Sequence, residues 1–313
     1  MISPIELPGT SPIGSGRTAD VFAWNTHWVL KLFHQELSHN YAHGEQRIAR
    51  AVREALHDAA FCVPEVGEVV VIQARVGLVY ARAAGTLLTR AYAQKDPHRL
   101  AIQVGERLAE LHLDIHRVDS RTHRSLDALP DQRQRFRRAI GSVTGVSDEH
   151  RHALLCLLEE VDCTAHSLCH GDFHPHNVLQ DENGRASVID WVIAERGNPL
   201  CDAATTSLLL RFAPIAGAAR TDPAHAAMRR VIRHAYLSRY FAVDDNAQRR
   251  AQFERWLPLA AAVRVANRIG AAERADLLAL IERRLTPQSA GLRRHSNVRS
   301  GSAMSETQSF NVS

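Results

Sequence analysis

The stretch from His170 to Trp191 narrows the possible folds more than any other part of the chain. It reads His170-Gly171-Asp172-Phe173-His174-Pro175-His176-Asn177-Val178-Leu179 and resumes at Val188-Ile189-Asp190-Trp191. Asn183-Gly184 lies between the two apolar runs, a strong short-range hairpin signal. With those two residues as the loop, Leu179 faces Val188, Val178 faces Ile189 and Asn177 faces Asp190. Directly opposed residues hold their Cβ atoms roughly 5 Å apart, close enough for an amide oxygen and a carboxylate to share one hard cation. Asp172 stands just upstream, where a loop can bring it beside that cation.

A second constraint is the use of lysine. Of 38 basic residues only Lys31 and Lys95 are lysine, and the rest are arginine. Lysine is a compact point charge suited to phosphate, and arginine does not replace it one for one. Lys31 interrupts the apolar strand pattern Trp28-Val29-Leu30-Lys31-Leu32-Phe33, downstream of Gly14-Ser15-Gly16. Glycines at 14 and 16 let backbone approach a phosphate closely. Alone, each signal is weak, since most such glycine pairs are ordinary turns. Within one hairpin they reinforce each other.

Around these motifs the chain divides by pattern. Gly67–Ala74 and Val76–Arg82 read as strands, and Glu45 to about Asp58 reads as a helix ended by Val63-Pro64. Ala83-Ala84-Gly85 is a hinge candidate. Beyond it, apolar residues recur every three to four positions over about His98–His116. Further helices are expected at 126–140, from Asp148 to about Ala165, and at 200–212, 224–241, 247–268 and 271–284. The expected division is an N-terminal lobe over 1–82, a helical lobe over 83–286, and a disordered tail over 287–313, where large apolar residues are few.

Composition sets the class. Apolar content of 45% and charged content of 23% are those of a soluble globular protein. Five cysteines without CxxC spacing read as reduced thiols in a cytoplasmic protein. Met1–Glu6 lacks the basic and apolar regions of a signal peptide, and no apolar run reaches the length of a membrane span. The net charge of +4 is spread along the chain among Asp and Glu, so it reads as a solvated surface rather than a nucleic-acid site. Arg133, Arg135, Arg137 and Arg138 read the same way. His166, Cys169, His170, His174 and His176 do not make a zinc site, because Pro175 breaks any helix that would align them and adjacent Cys-His is poor ligand spacing.

Taken together, His170–Leu179, Val188–Trp191 and Asn198-Pro199-Leu200-Cys201-Asp202 resemble the aminoglycoside phosphotransferase and choline kinase-like superfamily. The resemblance spans residues 12 to about 285. It implies an α+β, protein-kinase-like two-lobe fold with a small β-rich N-lobe carrying one main helix and a larger helical C-lobe. It also implies an enzyme that moves a phosphoryl group from ATP, or GTP, to a small-molecule hydroxyl with Mg2+. Carried over by position, Asp172 is the catalytic aspartate, and Asn177 and Asp190 are the metal ligands. Lys31 contacts the donor phosphates beneath Gly14 and Gly16 and pairs with a helix glutamate, Glu45 or Glu54. His170 and Asp202 support the catalytic loop, and Tyr80, Ala81 and Arg82 line the adenine pocket.

The chain departs from the kinase pattern in two places. Ala19 stands where the third glycine would be, and Trp191-Val192 follows Asp190. The short interval from Asp190 to Asn198-Pro199 leaves no room for an activation segment, which favours a small acceptor over a protein. The expected partners are a nucleotide and that acceptor, with neither nucleic acid nor membrane. The competing reading is a nucleotide-binding pseudokinase acting as a regulatory module. Retention of Lys31, Asp172, Asn177 and Asp190 argues against it.

Overall fold

Apolar and polar residues alternate after Gly14, and the result is an antiparallel sheet. The computed structural model describes residues 11–91, 96–162, 164–213, 222–267 and 269–286, so the expected tail over 287–313 lies outside the described residues. Strands β1 (Gly14–Ser15), β2 (Ala19–Ala23) and β3 (Trp28–Phe33) lead into helix α1 (His39–Ala55), followed by β4 (Val66–Ile72) and β5 (Arg75–Ala81). The sheet order is β1-β2-β3-β5-β4. Lys31 pairs with Val21 on one side and Leu78 on the other, and paired residues project from the same face. Helix α1 covers that face, burying Ala42 and Ala49 against Phe33, Val76 and Leu78. It starts six residues earlier than expected, which puts Glu45 in its second turn with its side chain against the sheet.

The chain then runs through β6 (Thr86–Leu87) and α2 (Leu88–Ala91) into α3 (Pro97–His116), α4 (Gln132–Ser142) and α5 (Asp148–Glu160). The helix expected over 126–140 is split. A 3₁₀ turn covers Arg124–Ala128, Leu129 is extended, and α4 begins after Pro130 with the Asp131 carboxylate accepting from Gln134 N. Proline disfavours helical backbone in the residue before it, which accounts for the break. Helix α5 stops at Glu160, short of Ala165, because Val161 turns extended.

Strands β7 (Ser167–Cys169), β8 (Val178–Gln180), β9 (Ala186–Val188) and β10 (Glu195–Gly197) frame the central stretch. Strand β8 lies between β6 and β9, and β7 pairs with β10. The hairpin register differs by one residue from expectation: Val178 pairs with Val188 and Leu179 with Ser187. The loop has three residues rather than two. Asp181 N donates to Arg185 O, and the Asp181 carboxylate accepts from Asn183 N and Arg185 N. Gly184 supplies the left-handed position at φ +79° that such a loop needs. Asn177 therefore lies level with Ile189, whose N–H it accepts, and Asp190 falls one residue beyond.

Helices α6 (Pro199–Phe212), α7 (Pro223–Phe241), α8 (Ala247–Ala266) and α9 (Ala271–Leu285) complete the described chain. Their boundaries agree with the expected ranges to within two residues, and side-chain caps mark the starts of α6, α7 and α8. Asn198, Asp222 and Asn246 each accept a first-turn N–H. Helices α3 and α7 cross closely at Gly105, where a Cβ would stand 2.4 Å from Ile232 O. Among the described residues no helix is long and apolar enough to cross a membrane. The arginine-rich face of α4 is mostly a surface network, with Arg133 and Arg137 paired to Glu159. Arg135 instead joins the buried Glu195 through two nitrogens.

Candidate active site

On the side of the sheet, Gly14 and Gly16 flank an exposed turn closed by Gly16 N donating to Ala19 O at 2.8 Å. A Cβ at either glycine would meet nothing nearer than 3.9 and 3.6 Å. Neither has a positive φ, so the fold itself does not require glycine here. Space for a close-approaching ligand is the remaining requirement, and it fits a phosphate.

Lys31 projects from β3 under α1, where its ammonium donates to Glu45 Oε1 at 2.8 Å and Asp190 Oδ1 at 2.7 Å. Burial alone would lower the Lys31 pKa, but the two carboxylates outweigh it and raise it above the usual lysine value. The partner glutamate is thus Glu45; Glu54 is exposed on the outer side of α1. Tyr80 donates its hydroxyl to the same Glu45 oxygen at 2.8 Å. Burial, together with Glu45, raises its pKa well above the ordinary tyrosine value. Its side chain thus braces the Lys31–Glu45 pair. The N–H groups of Ala81 and Arg82 are taken by Glu65 O and His27 O, at 2.8 and 2.7 Å. The Arg82 side chain is exposed. Recognition of a base by those two N–H groups would require their release.

The loop after β7 is held from inside the helical core. Asp202, on the first turn of α6, accepts His170 N at 2.6 Å and Gly171 N at 3.0 Å. Its Oδ2 also meets His112 Nε2 at 3.0 Å and His116 Nε2 at 3.3 Å, both from α3. Each imidazole turns its Nδ1 to a tyrosine of α7, His112 to Tyr236 at 2.7 Å and His116 to Tyr240 at 2.9 Å. A carboxylate only accepts, so both Nε2 atoms carry hydrogen. Burial lowers the His112 pKa to about 3, leaving that ring neutral at pH 7. Burial would raise Asp202, but the two histidines hold it well below the carboxylate range.

These two histidines and Asp202 form the one close cluster of three His, Cys, Asp or Glu side chains among the described residues that could hold a metal ion. The hydrogen bonds fit a bracing network, with every facing atom already matched. The signal in the sequence is two histidines at i and i+4 on the apolar face of α3, beside Leu108, Leu111 and Ile115.

His170 is fully buried. It accepts Asp172 N at Nδ1 (3.3 Å) and donates from Nε2 to Ile189 O (3.1 Å), tying the loop to the segment that follows β9 and carries Asp190. Gly171 holds φ +80°, and a Cβ there would lie 2.6 Å from Ile193 O. Asn177 donates Nδ2 to Asp172 O at 2.9 Å, which leaves its amide oxygen as the edge for a hard cation. Asp190 has φ +65°, a left-handed backbone that costs a non-glycine residue about 1–2 kcal/mol. Burial would raise its carboxyl, but Lys31 holds it below the ordinary value. Its side chain keeps 37% exposure and its second oxygen is not bound to Lys31. An amide oxygen and a carboxylate are the donor chemistry that Mg2+ takes.

The Asp172 carboxylate lies 3.8 Å from His174 Nε2 and 3.9 Å from Arg264 Nη1. His174 Nδ1 accepts His176 N, so its hydrogen is on Nε2, aimed at Asp172. Burial lowers the His174 pKa to about 4 despite Asp172. Arg264 comes from α8, far along the chain, and its Nε is held by Glu273 of α9 at 2.8 Å. No local pattern marks it in the sequence.

A lysine bridging a helix glutamate and a metal-competent aspartate, beside a loop carboxylate, is the arrangement of phosphoryl-transfer enzymes. The family model described as Phosphotransferase enzyme family (APH) matches residues 9–241. No curated protein matches the chain in sequence. Among solved structures, it is similar to a thermostable mutant of aminoglycoside phosphotransferase APH(4)-Ia in ternary complex with AMP-PNP and hygromycin B. Identity there is 18% and the TM-score 0.57, over 88% of this chain and 92% of that one. The amicoumacin kinase hAmiN in complex with AMP-PNP, Ca2+ and Ami gives 16% and 0.55, over 88% and 89%. The GDP and kanamycin complex of APH(2")-IIia gives 14% and 0.52, over 90% and 94%. At such identities the likeness is one of fold, the protein-kinase-like fold of aminoglycoside phosphotransferases. With three quarters of its length under the family model, the chain belongs to the phosphotransferase enzyme family.

Proposed function

We propose that this enzyme transfers the terminal phosphoryl group of ATP, or of GTP, to a hydroxyl of a small molecule of the amino-alcohol, sugar or aminoglycoside kind. The observation that carries the reading is Lys31 joined at once to Glu45 and Asp190. Solved relatives holding AMP-PNP or GDP support a nucleotide donor. The lobe boundary falls at 82/83, with the nucleotide lobe over 1–82 and the acceptor side within 83–286. The cytoplasm is the compartment that would supply the nucleotide.

In this mechanism Gly14 and Gly16 let the turn close over the phosphates, and Lys31 neutralises donor charge while Glu45 and Tyr80 hold it in place. Asn177 and Asp190 would hold Mg2+, which when bound supplies charge neutralisation across the phosphate oxygens. Asp172 orients the acceptor hydroxyl and accepts its proton as the oxygen attacks phosphorus. His170 and Asp202 fix the backbone that carries Asp172. Positioned general bases contribute about 10²–10⁴-fold in rate. Asp172→Asn should therefore lower kcat by about that factor while Mg2+-nucleotide affinity survives. The measurement is ATP turnover over a panel of hydroxylated metabolites and aminoglycosides, with nucleotide binding titrated separately. An Asp172→Asn enzyme with wild-type turnover would sink the assignment.

A further inference from the structure

Arg264 is the cation nearest the carboxylate that would receive the acceptor. Its Nε edge is fixed on Glu273, which is buried, at 2.8 Å. Its Nη1 stands 3.9 Å from Asp172 Oδ1, too far for a hydrogen bond. The Nη hydrogens make no hydrogen bond among the described residues, and the side chain keeps 14% exposure. A guanidinium clamped along one edge presents the other as a planar fork, the geometry that recognises a carboxylate or phosphate.

The nearby helices offer little to a polycation. Asp222 is paired with His225, Asp245 with Arg250 and Glu254 with Arg284. Asp244 accepts from Asn246. Each acidic side chain is thus committed within its own helix end or to a surface arginine.

We propose that Arg264 is an acceptor-binding residue and that the acceptor is a hydroxy acid, carrying a carboxylate or phosphate close to the hydroxyl that is phosphorylated. This rests on Asp172 being the catalytic aspartate. A hydroxyl donating to Asp172 and an anionic oxygen accepting from Nη each sit about 2.8 Å from their partners. With only 3.9 Å between those partners, a small molecule carrying both oxygens on neighbouring carbons, an α- or β-hydroxy acid, can reach the two at once. The same fork gives no favourable contact to an ammonium at that position.

The test pairs hydroxy acids with their uncharged amides (glycerate with glyceramide, gluconate with gluconamide) and adds kanamycin and hygromycin B, all with Mg-ATP. The wild-type enzyme should favour acid over amide by at least about tenfold in kcat/KM. Bidentate charged contacts of this kind are worth about 1.5–3 kcal/mol. Arg264→Gln should raise KM for the acids about 10–100-fold, with kcat nearly unchanged and the amides unaffected. Arg264→Gln leaves buried Glu273 unpaired, so the double variant Arg264→Met/Glu273→Met serves as the folding-safe version with the same expected KM pattern. A loss of kcat shared equally by acids and amides would make Arg264 a support for Asp172 and overturn the inference. Preference for kanamycin or hygromycin B would overturn it and leave the kinase reading intact. No transfer to any acceptor would remove both.

Discussion

Replacing one oxygen atom in the core should loosen the loop that carries Asp172. Asp202→Asn keeps the shape of the side chain but offers one acceptor oxygen where four donors converge: His170 N, Gly171 N, His112 Nε2 and His116 Nε2. The least costly arrangement keeps the oxygen on the side of His170 and turns the new amide N–H₂ toward Gly171 N–H. Two buried donors then face each other, each costing about 1–3 kcal/mol, and the three remaining bonds lose their charge assistance. The amide is easier to bury than the carboxylate, which offsets part of this. The expected net loss is about 3–5 kcal/mol, the range for removing one partner of a buried pair.

Set against a typical total of about 5–15 kcal/mol, that is a large fraction. With a urea slope of about 3 kcal/mol/M, the midpoint should fall by about 1–1.7 M in far-UV circular dichroism. Because the freed amides belong to the loop carrying Asp172, kcat should also fall by about 10–100-fold, as a displacement near 1 Å would cause. Nucleotide affinity should change little, since Lys31 is held by β3 and Glu45 by α1, apart from that loop. A midpoint shift under about 0.3 M with kcat intact would refute the account.

Other outcomes follow from the same contacts. Lys31→Met leaves Glu45 buried with Tyr80 as its one hydrogen-bond partner, and should weaken nucleotide binding and lower the melting temperature together, seen by titration and thermal melt. Gly171→Ala forces a Cβ into Ile193 O at φ +80°, and should lower kcat with nucleotide affinity preserved; wild-type kcat would show the loop is not held as described. Acid should destabilise the fold through His112. Its folded pKa is depressed to about 3, so its contribution is complete above the unfolded value of 6.5 and is lost as pH falls toward 3. At about 1.4 kcal/mol per pH unit, moving from pH 6.5 to 4.5 should cost about 2–3 kcal/mol, and His112→Gln should flatten that slope in urea titrations.

Much of the fold was legible because its signals are local. The helices with Asn198, Asp222 and Asn246 at their starts announced themselves, and the strand around Lys31 did so by its apolar run. The hairpin register failed by one residue because the side chain of Asp181 closes a wider loop than Asn183-Gly184 suggests. The family resemblance puts Tyr80 in the base pocket, and its hydroxyl meets a glutamate that comes from α1. His112 and His116 were hidden in an apolar helix pattern, and Arg264 acquires its meaning only when α8 packs beside a loop some 90 residues earlier. What the sequence could not display was the set of side chains that support the site from other helices.

The two contacts of Lys31 bear on the chain before folding is complete. Glu45 is 14 residues away along the sequence and Asp190 is 159. The first contact lies between the N-terminal sheet and α1, whereas the second joins that sheet to the segment after β9. A chain in which only the N-terminal sheet and α1 are in place therefore holds Lys31 and Glu45 without Asp190. Under the proposed mechanism such a chain lacks part of the charge set, so phosphoryl transfer would require the finished fold.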